Sequence, residues 1–332
     1  MNDRIRTAES CEDTRDSALS MTEALATISE RIAPISGFQS VALRDGLGRV
    51  LAEPIVSPLN VPAYRNSAMD GYAMRGEDLP VEGRLELKLV GTAYAGRPFD
   101  RPLRNGECIR IMTGAKMPDS ADTVVMQERA ERTGDTVTVD AHNRSGQNVR
   151  QAGEDILQGS LVLESGRRVN ASQLGLLASL GIAELRVRRR PRVAFFSSGD
   201  EIRSIGEALG EGQIYDSNRY TLHGMLTRLG VDAIDLGVIR DREVDITTSL
   251  LQAAQETDLI LTSGGISVGE ADHVVAALRN LGTIHFSKVA IKPGRPLTFG
   301  HIGNTPFFGL PGNPVAVMIT FLQFARPAIV QM

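Results

Sequence analysis

Apolar residues occur at different spacings in successive parts of the chain. Ser20 and Glu23 form a capping-box pattern before apolar residues at helical spacing, which predicts a helix that ends before Pro34. The middle of the chain carries short runs of β-forming residues between turns, at 85–90, 108–112, 123–126 and 136–139. Helical spacing returns after Asn170 and stops at Gly181, so we expect a β-rich module inserted between two helical pieces.

From residue 193 onwards the pattern alternates between strands and helices. The predicted strands cover 193–197, 231–236, 258–262 and 284–291, and the predicted helices cover 217–229, 242–254 and 272–281. This alternation is typical of βαβ units that build a mostly parallel sheet. Ligands of such sheets bind outside the carboxyl ends of the strands, so a site is expected in the segments that follow them.

These patterns predict a multidomain fold that combines an α/β domain with a β-rich domain. Residues 1–18 are expected to form a disordered tail, because they are mostly charged or polar. A discontinuous helical N-terminal domain would comprise 19–59 and 155–188, the β-rich insertion 60–154, and the α/β domain 189–332.

Charge and cysteine content narrow the range of partners. The formal net charge of -4 gives no overall positive field for a nucleic acid. Cys11 and Cys108 provide neither a disulfide framework nor a thiolate metal site. No run of about 18 apolar residues predicts a membrane span, and the N-terminal residues lack a signal-peptide pattern. We therefore expect a cytoplasmic protein that binds neither nucleic acid nor membrane.

Five arginines lie between residues 186 and 192, around Pro191. They could form an anion-binding patch, but a charge run of this kind is more often a solvated linker. We interpret it as a linker before the next strand.

Glycines and hydroxyls follow one of the predicted strands. Ser263, Gly264 and Gly265 lead towards a predicted helix. Backbone N–H groups of glycine can approach a phosphate closely, and the N-terminus of the following helix adds partial positive charge. The turn is therefore a candidate phosphate cradle, although two glycines alone are also compatible with an ordinary turn.

Charged side chains follow the other predicted strands. The carboxylates are hard oxygen ligands suited to Mg²⁺, and they are Glu201, Asp241 and Asp272. The cations could neutralise a phosphate or an oxyanion such as molybdate, and they are Lys288, Lys292 and Arg295. Asp241 could instead cap the helix that begins at Arg242, and Asp272 could be a first-turn acid. The recurrence of these groups at one predicted sheet edge favours phosphoanhydride or oxyanion chemistry.

Six motifs resemble those of MoeA-type molybdopterin molybdenumtransferases, a family that also includes the E domain of gephyrin. They are SAMDGYA at 67–73, GEDI at 153–156, SGDE at 198–201, SGGISVGEAD at 263–272, KPGRP at 292–296 and LPGNP at 310–314. The resemblance extends in order over residues 19–330. It implies Mg²⁺-dependent cleavage of adenylylated molybdopterin, coupled to insertion of molybdate into the dithiolene. It also implies a homodimer, with a molybdopterin adenylyltransferase as pathway partner.

The resemblance also assigns roles to individual residues. Catalytic roles are expected for Asp70, Thr113, Asp155, Asp241, Lys288 and Lys292. Mg²⁺ would be bound by Glu201 and Asp272. The molybdopterin substrate would be bound by Arg150, Ser263, Gly264, Gly265, Pro311, Gly312 and Pro314. From its local sequence alone, Asp70 would be the aspartate of an Asp-Gly turn.

Members of this family continue beyond the last predicted helix into a small C-terminal β domain, whereas this sequence stops at Met332. We therefore expect that domain to be absent. One alternative function is a molybdopterin-binding or scaffold module without turnover, as in the gephyrin E domain, or a truncated inactive form. Another is a related adenylyltransferase, which shares the Gly-Gly and Pro-Gly-Asn-Pro turns but does not need the N-terminal helix and the β-rich insertion.

Overall fold

The computed structural model describes residues 18–265 and 273–332. Their backbone contacts divide the chain into two compact units, one of residues up to Gly37 together with Arg189–Met332 and the other of Phe38–Arg188. We refer to them as the α/β unit and the β-rich unit. Asp272, and the predicted tail except Ala18, lie outside the described residues.

A six-stranded mixed sheet forms the centre of the α/β unit. Its strands, in spatial order, are Asp232–Ile239, Arg192–Ser198, Leu259–Ser263, Thr305–Leu310, Pro296–Ile302 and Gly282–Lys288. The first four strands are mutually parallel, and the last two pairings are antiparallel. The sheet is therefore more mixed than predicted. The reversal arises because only Gly303 and Asn304 separate two neighbouring strands, and so short a loop can join only antiparallel strands.

Helices cover both faces of this sheet and bury its apolar side chains. Their bounds are Met21–Ser29, Ser217–Leu229, Glu243–Glu256 and His273–Leu281, followed by Pro314–Thr320, a π-helical segment Phe321–Ala325, and Arg326–Gln331. One core contains Phe195, Leu222 and Phe308, and a second contains Phe196, Ile246 and Leu278. The two cores arise because residues of a fully buried strand alternate between the faces of a sheet.

The N-terminal helix packs within the α/β unit. Ser20 and Glu23 form the predicted capping box, with hydrogen bonds of 3.2 and 2.8 Å. Ala24 and Ile28 are buried in the same core as Phe195. The predicted domain division grouped this helix with the first domain, whereas its apolar face is covered by the α/β core.

The last helical stretch, Pro314–Gln331, is long and apolar enough to cross a membrane by length and composition. In the structure its inner face lies in the core of the α/β unit, where Val317, Phe321 and Phe324 are buried. This burial is typical of a core helix, and a membrane role does not follow from its composition.

The β-rich unit is built on a second six-stranded sheet. Its strands, in spatial order, are Thr123–Met126, Gly71–Met74, Glu107–Ile111, Arg84–Ala93, Thr136–Asp140 and Glu131–Thr133. All four runs predicted from the sequence form strands of this sheet. Apolar side chains pack on both of its faces, for example Ile109 on one and Val125 on the other.

The remainder of the β-rich unit contains two-stranded pairs, one α-helix and three short 3₁₀ helices, at Leu43–Gly46, Gly76–Asp78 and Gln127–Arg129. The pairs are Phe38–Ala42 with Glu184–Arg188, Ile55–Val56 with Leu161–Leu163, and Asn66–Ser67 with Val149–Arg150. The helix is Ala171–Ser179, and Asn170 and Gln173 form a capping box at its start. Leu51, Leu177 and Val187 form part of the small core beneath it.

The linker interpretation of the arginine run was correct only for residues 189–191, which connect the strands Glu184–Arg188 and Arg192–Ser198. Arg186 and Arg188 lie in a paired strand, and the intervening Val187 is fully buried. In the α/β unit, Arg189 donates two hydrogen bonds of 2.6 Å to the carboxylate of Asp258. Strand pairing therefore holds Arg186 and Arg188 in place, and a bidentate ion pair holds Arg189.

Candidate functional site

The carboxyl ends of the four parallel strands carry most of the predicted residues of the α/β unit. Ser198, at the end of the second strand, lies between the acids and the glycine turn. Its hydroxyl donates to Asp241 Oδ1 at 3.4 Å. Its carbonyl oxygen would lie 2.5 Å from a Cβ placed on Gly264. Ser198 therefore links the segments that follow three neighbouring strands.

The Ser263-Gly264-Gly265 turn has the backbone that the phosphate hypothesis requires. Gly264 and Gly265 have φ of +85° and +63°, which favours glycine over residues with side chains. The Gly264 N–H donates to Leu310 O at 3.2 Å, and the Ser263 hydroxyl lies 2.9 Å from that of Ser197. Ser263 is buried, its backbone lies in the sheet ladder and its hydroxyl is used within the protein, so the glycines that follow it are the part of the turn suited to a ligand.

The Pro311-Gly312-Asn313-Pro314 turn lies beside this glycine turn. A Cβ on Gly312 would be 3.9 Å from Gly264 Cα. Asn313 Oδ1 accepts hydrogen bonds from the N–H groups of Val315 and Ala316, and Pro314 occupies the first turn of the helix. Pro311 is buried, whereas Gly312 and Pro314 are exposed. The two turns therefore form one glycine-lined surface.

The acids Asp241 and Glu201 both lie near Ser198, Asp241 through a hydrogen bond and Glu201 three residues later in the chain. Asp241 is half-buried. The alternative interpretation of Asp241 as a helix cap was wrong, because Arg242 occupies the cap position and makes no side-chain hydrogen bond there. Glu201 is exposed and folds back, since its Oε2 would lie 2.6 Å from a Cβ on Gly199. No cluster of three or more metal-ligating side chains occurs among the described residues, which leave out Asp272.

The predicted cations reach the same edge through two reversals of strand direction. The Gly282–Lys288 strand is antiparallel to its neighbour, which is antiparallel to Thr305–Leu310, so its carboxyl end points the same way as the parallel strands. Lys288 is half-buried, whereas Lys292 and Arg295 are exposed in the following loop. Five strand spacings separate the outer strands, or about 24 Å. The acids occupy one half of this edge and the cations the other.

In the β-rich unit, Asp70 is held by Thr113. Its Oδ1 accepts from the backbone N–H and from the hydroxyl of Thr113, both at 2.7 Å. The hydroxyl bond and then the backbone bond lower the pKa of the Asp70 carboxyl. Gly71 permits this arrangement, since a Cβ there would lie 2.1 Å from the Val125 carbonyl oxygen. Asp70 is thus more than the aspartate of a turn.

The other predicted residues of the β-rich unit are arranged around the segment that leads to Asp70. Arg150 pairs with Asn66 in a short antiparallel ladder. The Asp155 N–H donates to Val61 O at 2.9 Å. The side chains of Arg150 and Asp155 are both exposed. Strand pairing therefore brings residues from distant parts of the sequence next to residues 61–70.

Family comparisons agree with this geometry. Residues 19–181 match the model described as "MoeA N-terminal region (domain I and II)", and residues 194–331 match "Probable molybdopterin binding domain". The chain is 42% identical over 315 residues to the molybdopterin molybdenumtransferase of Haemophilus influenzae, covering 95% of this chain and 78% of that protein.

The chain belongs to the MoeA family of molybdopterin molybdenumtransferases.

Further relatives extend the comparison. Two crystal structures of the MoeA protein from Pyrococcus horikoshii align with TM-scores of 0.82 and 0.81, at 34% and 31% identity. They cover 95% of this chain, which spans 80% and 79% of those chains. Gephyrin of Dictyostelium discoideum is 34% identical over 363 residues, covering 95% of this chain and 50% of that protein. The predicted family resemblance is thereby confirmed.

Sequence reasoning missed several polar residues near the predicted sites of this MoeA-family chain. Arg110 contacts the Tyr72 hydroxyl at 3.2 Å and also Gln127, whose backbone N–H donates to Asp70 O. The cationic Arg110 therefore lies near Asp70. In the sequence, Arg110 is a charged residue within an otherwise apolar run that predicts a strand, and this pattern could have identified it. In the α/β unit the missed residues are Asp216 and Asn218, which look like ordinary helix-start residues in the sequence.

Two surface cavities in the β-rich unit, of about 320 and 480 Å³, are lined by other residues. The first lies between Phe99 and Pro118, and the second between Arg129 and His142. None of the predicted site residues lines either cavity.

Proposed function

We propose that this chain is a molybdopterin molybdenumtransferase that takes adenylylated molybdopterin and molybdate as substrates. The observation that carries the proposal is the glycine surface between acids and cations at one sheet edge, in a chain of the MoeA family. A phosphoanhydride carries negative charge at its centre, and backbone N–H groups of glycine turns bind such charge closely. Gly265 and Gly312 would bind this part of the substrate, and Gly264, whose N–H donates to Leu310 O, would let the backbone approach it closely.

The acids support a role for Mg²⁺. Asp241 and Glu201 provide carboxylate oxygens, which are the donors that Mg²⁺ prefers, and a site with few protein ligands suits an ion that keeps waters and phosphate oxygens as ligands. Glu201, together with Asp272, would hold the ion, and Asp241 would lie next to it. When bound, Mg²⁺ would polarise the phosphoanhydride.

The cations have the complementary role. Lys288 and Lys292 would neutralise charge on molybdate and on the phosphate that it approaches. The Asp70 carboxylate, held ionised by Thr113, would accept a hydrogen bond from a donor on the substrate. Arg150 and Asp155, which are exposed and charged, would contact polar groups of the substrate.

The test is release of AMP from adenylylated molybdopterin by the purified chain, with Mg²⁺ and molybdate present. We expect release that depends on both ions, and roughly a 100-fold lower rate for Asp241→Asn or Lys292→Gln. Asp232→Asn is the matched control, because this exposed aspartate lies at the amino end of the strand that Asp241 follows. Absence of AMP release under all ion conditions would contradict the proposal.

The likeness to gephyrin supports a second candidate, a molybdopterin-binding scaffold without turnover. Calorimetric titration with adenylylated molybdopterin separates the two functions. A scaffold would bind the compound and leave it intact, and Asp241→Asn would not change its fate.

Homodimer formation is a further part of the proposal. The outer face of the Pro314–Gln331 helical stretch exposes apolar side chains at helical spacing, namely Val315, Met318, Ile319 and Leu322. An apolar stripe of this kind favours contact with a second copy. Sedimentation of the double variant Met318→Glu/Leu322→Glu should give a monomer. Val244→Glu, at an exposed position of another helix, should not change the mass.

A cytoplasmic location and a molybdopterin adenylyltransferase as pathway partner complete the proposal.

A further inference from the structure

The helix Ser217–Leu229 begins with a buried aspartate that is connected to the glycine surface. Asp216 is 3% exposed and caps this helix by accepting from the Arg219 N–H at 3.0 Å. The same carboxylate accepts from Arg219 Nε at 3.0 Å and from the Ser197 hydroxyl at 3.0 Å. A cap needs only the first of these bonds, so Asp216 has a further role.

The hydroxyl bonds have a defined direction. The Asp216 carboxylate only accepts, so the Ser197 hydroxyl uses its single hydrogen on it. The 2.9 Å bond between Ser197 and Ser263 must then be donated by Ser263. A chain of donors therefore runs from Ser263 through Ser197 to Asp216, and Ser263 is the residue before Gly264.

Asn218, two residues later, connects the same helix start to the second turn. Its Nδ2 donates to Gly312 O at 2.8 Å. Because Gly312 lies against Gly264, the two turns are held both by contact with each other and by one common helix start. The far side of the helix start is fixed by the 2.7 Å ion pair from Arg219 to Asp235 on the outer strand.

We propose that Asp216 and Asn218 are positioning residues that set the separation of the Ser263-Gly264-Gly265 and Pro311-Gly312 turns. The inference rests on the proposed function, in which these turns bind the phosphoanhydride of the substrate. Neither residue touches the substrate. Asp216 acts through Ser197 and Ser263, and Asn218 acts through the Gly312 carbonyl. Loss of either link lets one turn shift relative to the other, and displacements near 1 Å can lower rates by up to about 100-fold.

The kinetic test compares Ser197→Ala, Asn218→Ala, Asp216→Ala and Asp216→Asn. The first three should raise KM for adenylylated molybdopterin at least about tenfold and lower kcat as well. Asp216→Asn should keep KM closer to the parent value than Asp216→Ala, because the asparagine Oδ1 can still cap the helix and accept from Ser197, although its Nδ2 faces the Arg219 Nε donor. Thr227→Ala is the control, since it removes a similar side-chain bond, 2.8 Å to His223 O, from the last turn of the same helix.

A second measurement does not need activity. In protein labelled with ¹⁵N-glycine, Ser197→Ala should shift the amide resonance of Gly264, and Asn218→Ala that of Gly312, whereas Thr227→Ala should shift neither. If the parent releases no AMP but these shifts occur, the proposed function fails and the positioning role stands. Unchanged glycine resonances, or KM values within twofold of the parent in an active enzyme, would overturn the positioning role.

Discussion

Asp70 and Thr113 form a two-bond contact in which one residue supplies both donors. Since the Thr113 hydroxyl bond is the main cause of the lowered Asp70 pKa, Thr113→Val should raise that pKa while keeping the backbone bond. A raised carboxyl pKa means that the group becomes protonated at higher pH. The acid limb of kcat/KM for AMP release should therefore move to higher pH, whereas Thr133→Val, at an exposed strand position, should leave it in place. If the acid limb does not move, ionisation of Asp70 does not control the rate of AMP release.

Gly264 should not tolerate a side chain. Its φ of +85° costs an L-residue about 1 to 2 kcal/mol, and a Cβ would also lie 2.5 Å from Ser198 O. Gly264→Ala should lower the free energy of unfolding and abolish binding of adenylylated molybdopterin. The matched control is Gly224→Ala in the Ser217–Leu229 helix, where nothing lies within 4 Å and alanine should add up to about 1 kcal/mol. Urea unfolding and calorimetry measure both effects, and full binding by Gly264→Ala would contradict the phosphate-cradle assignment.

Stability should fall in mild acid because of a histidine pair. His285 Nε2 lies 3.0 Å from His301 Nδ1, burial lowers the pKa of both rings, and the charge of the nearby Arg31 lowers the pKa of His285 further. A base whose pKa is lower in the folded than in the unfolded protein stabilises the fold at pH values above its unfolded-state pKa, which is about 6.5 for histidine. That stabilisation is lost as the pH falls through the folded-state pKa.

The measurement for this pair is the free energy of unfolding at pH 7.5 and pH 5.5. His301→Gln should decrease the difference between the two values, because one of the two coupled rings is gone. His142→Gln, whose side chain is 86% exposed, serves as the control and should keep the difference of the parent. An equal difference in all three proteins would show that the pair does not control acid stability.

Arg189 should contribute more to stability than the other arginines of its run. Burial alone would raise the pKa of Asp258, yet hydrogen bonds from Arg189 and from the Arg192 N–H lower it. Arg189→Gln should cost about 1.5 to 3 kcal/mol, the range for hydrogen bonds to charged groups. Arg186→Gln removes an exposed pair with Glu53 and should cost less than about 1 kcal/mol. Equal losses in chemical denaturation would contradict this ranking.

Local patterns predicted the elements of the fold well, because capping, periodicity and turn residues act over a few positions. The helix Ser217–Leu229 and the strand Thr123–Met126 have the predicted bounds. The partners of the arginine run could not be predicted in this way. Arg189 and Asp258 are 69 residues apart, and only the sheet order brings them together.

The candidate site was predictable to a similar degree. The rule that ligands bind at carboxyl ends of strands selected the segments after Ser198, Ile239 and Ser263, and the parallel pairing places all three at one sheet edge. The lateral order of those segments depends on which strands pair, and it could not be read from spacing. Asp216 was missed for a different reason, since a helix cap explains an aspartate at that position without its contact to Ser197.

The strand order has a consequence for any molecule bound along this edge. Asp241 follows one outer strand and Lys288 ends the other, so a carboxylate suited to a metal ion and a lysine lie at opposite ends of the edge. Under the proposed function, a substrate that needs a metal ion at one end and a bound oxyanion at the other would have one favourable head-to-tail direction along this edge. The order of the strands, more than any single side chain, would therefore set the direction in which a substrate binds along this edge.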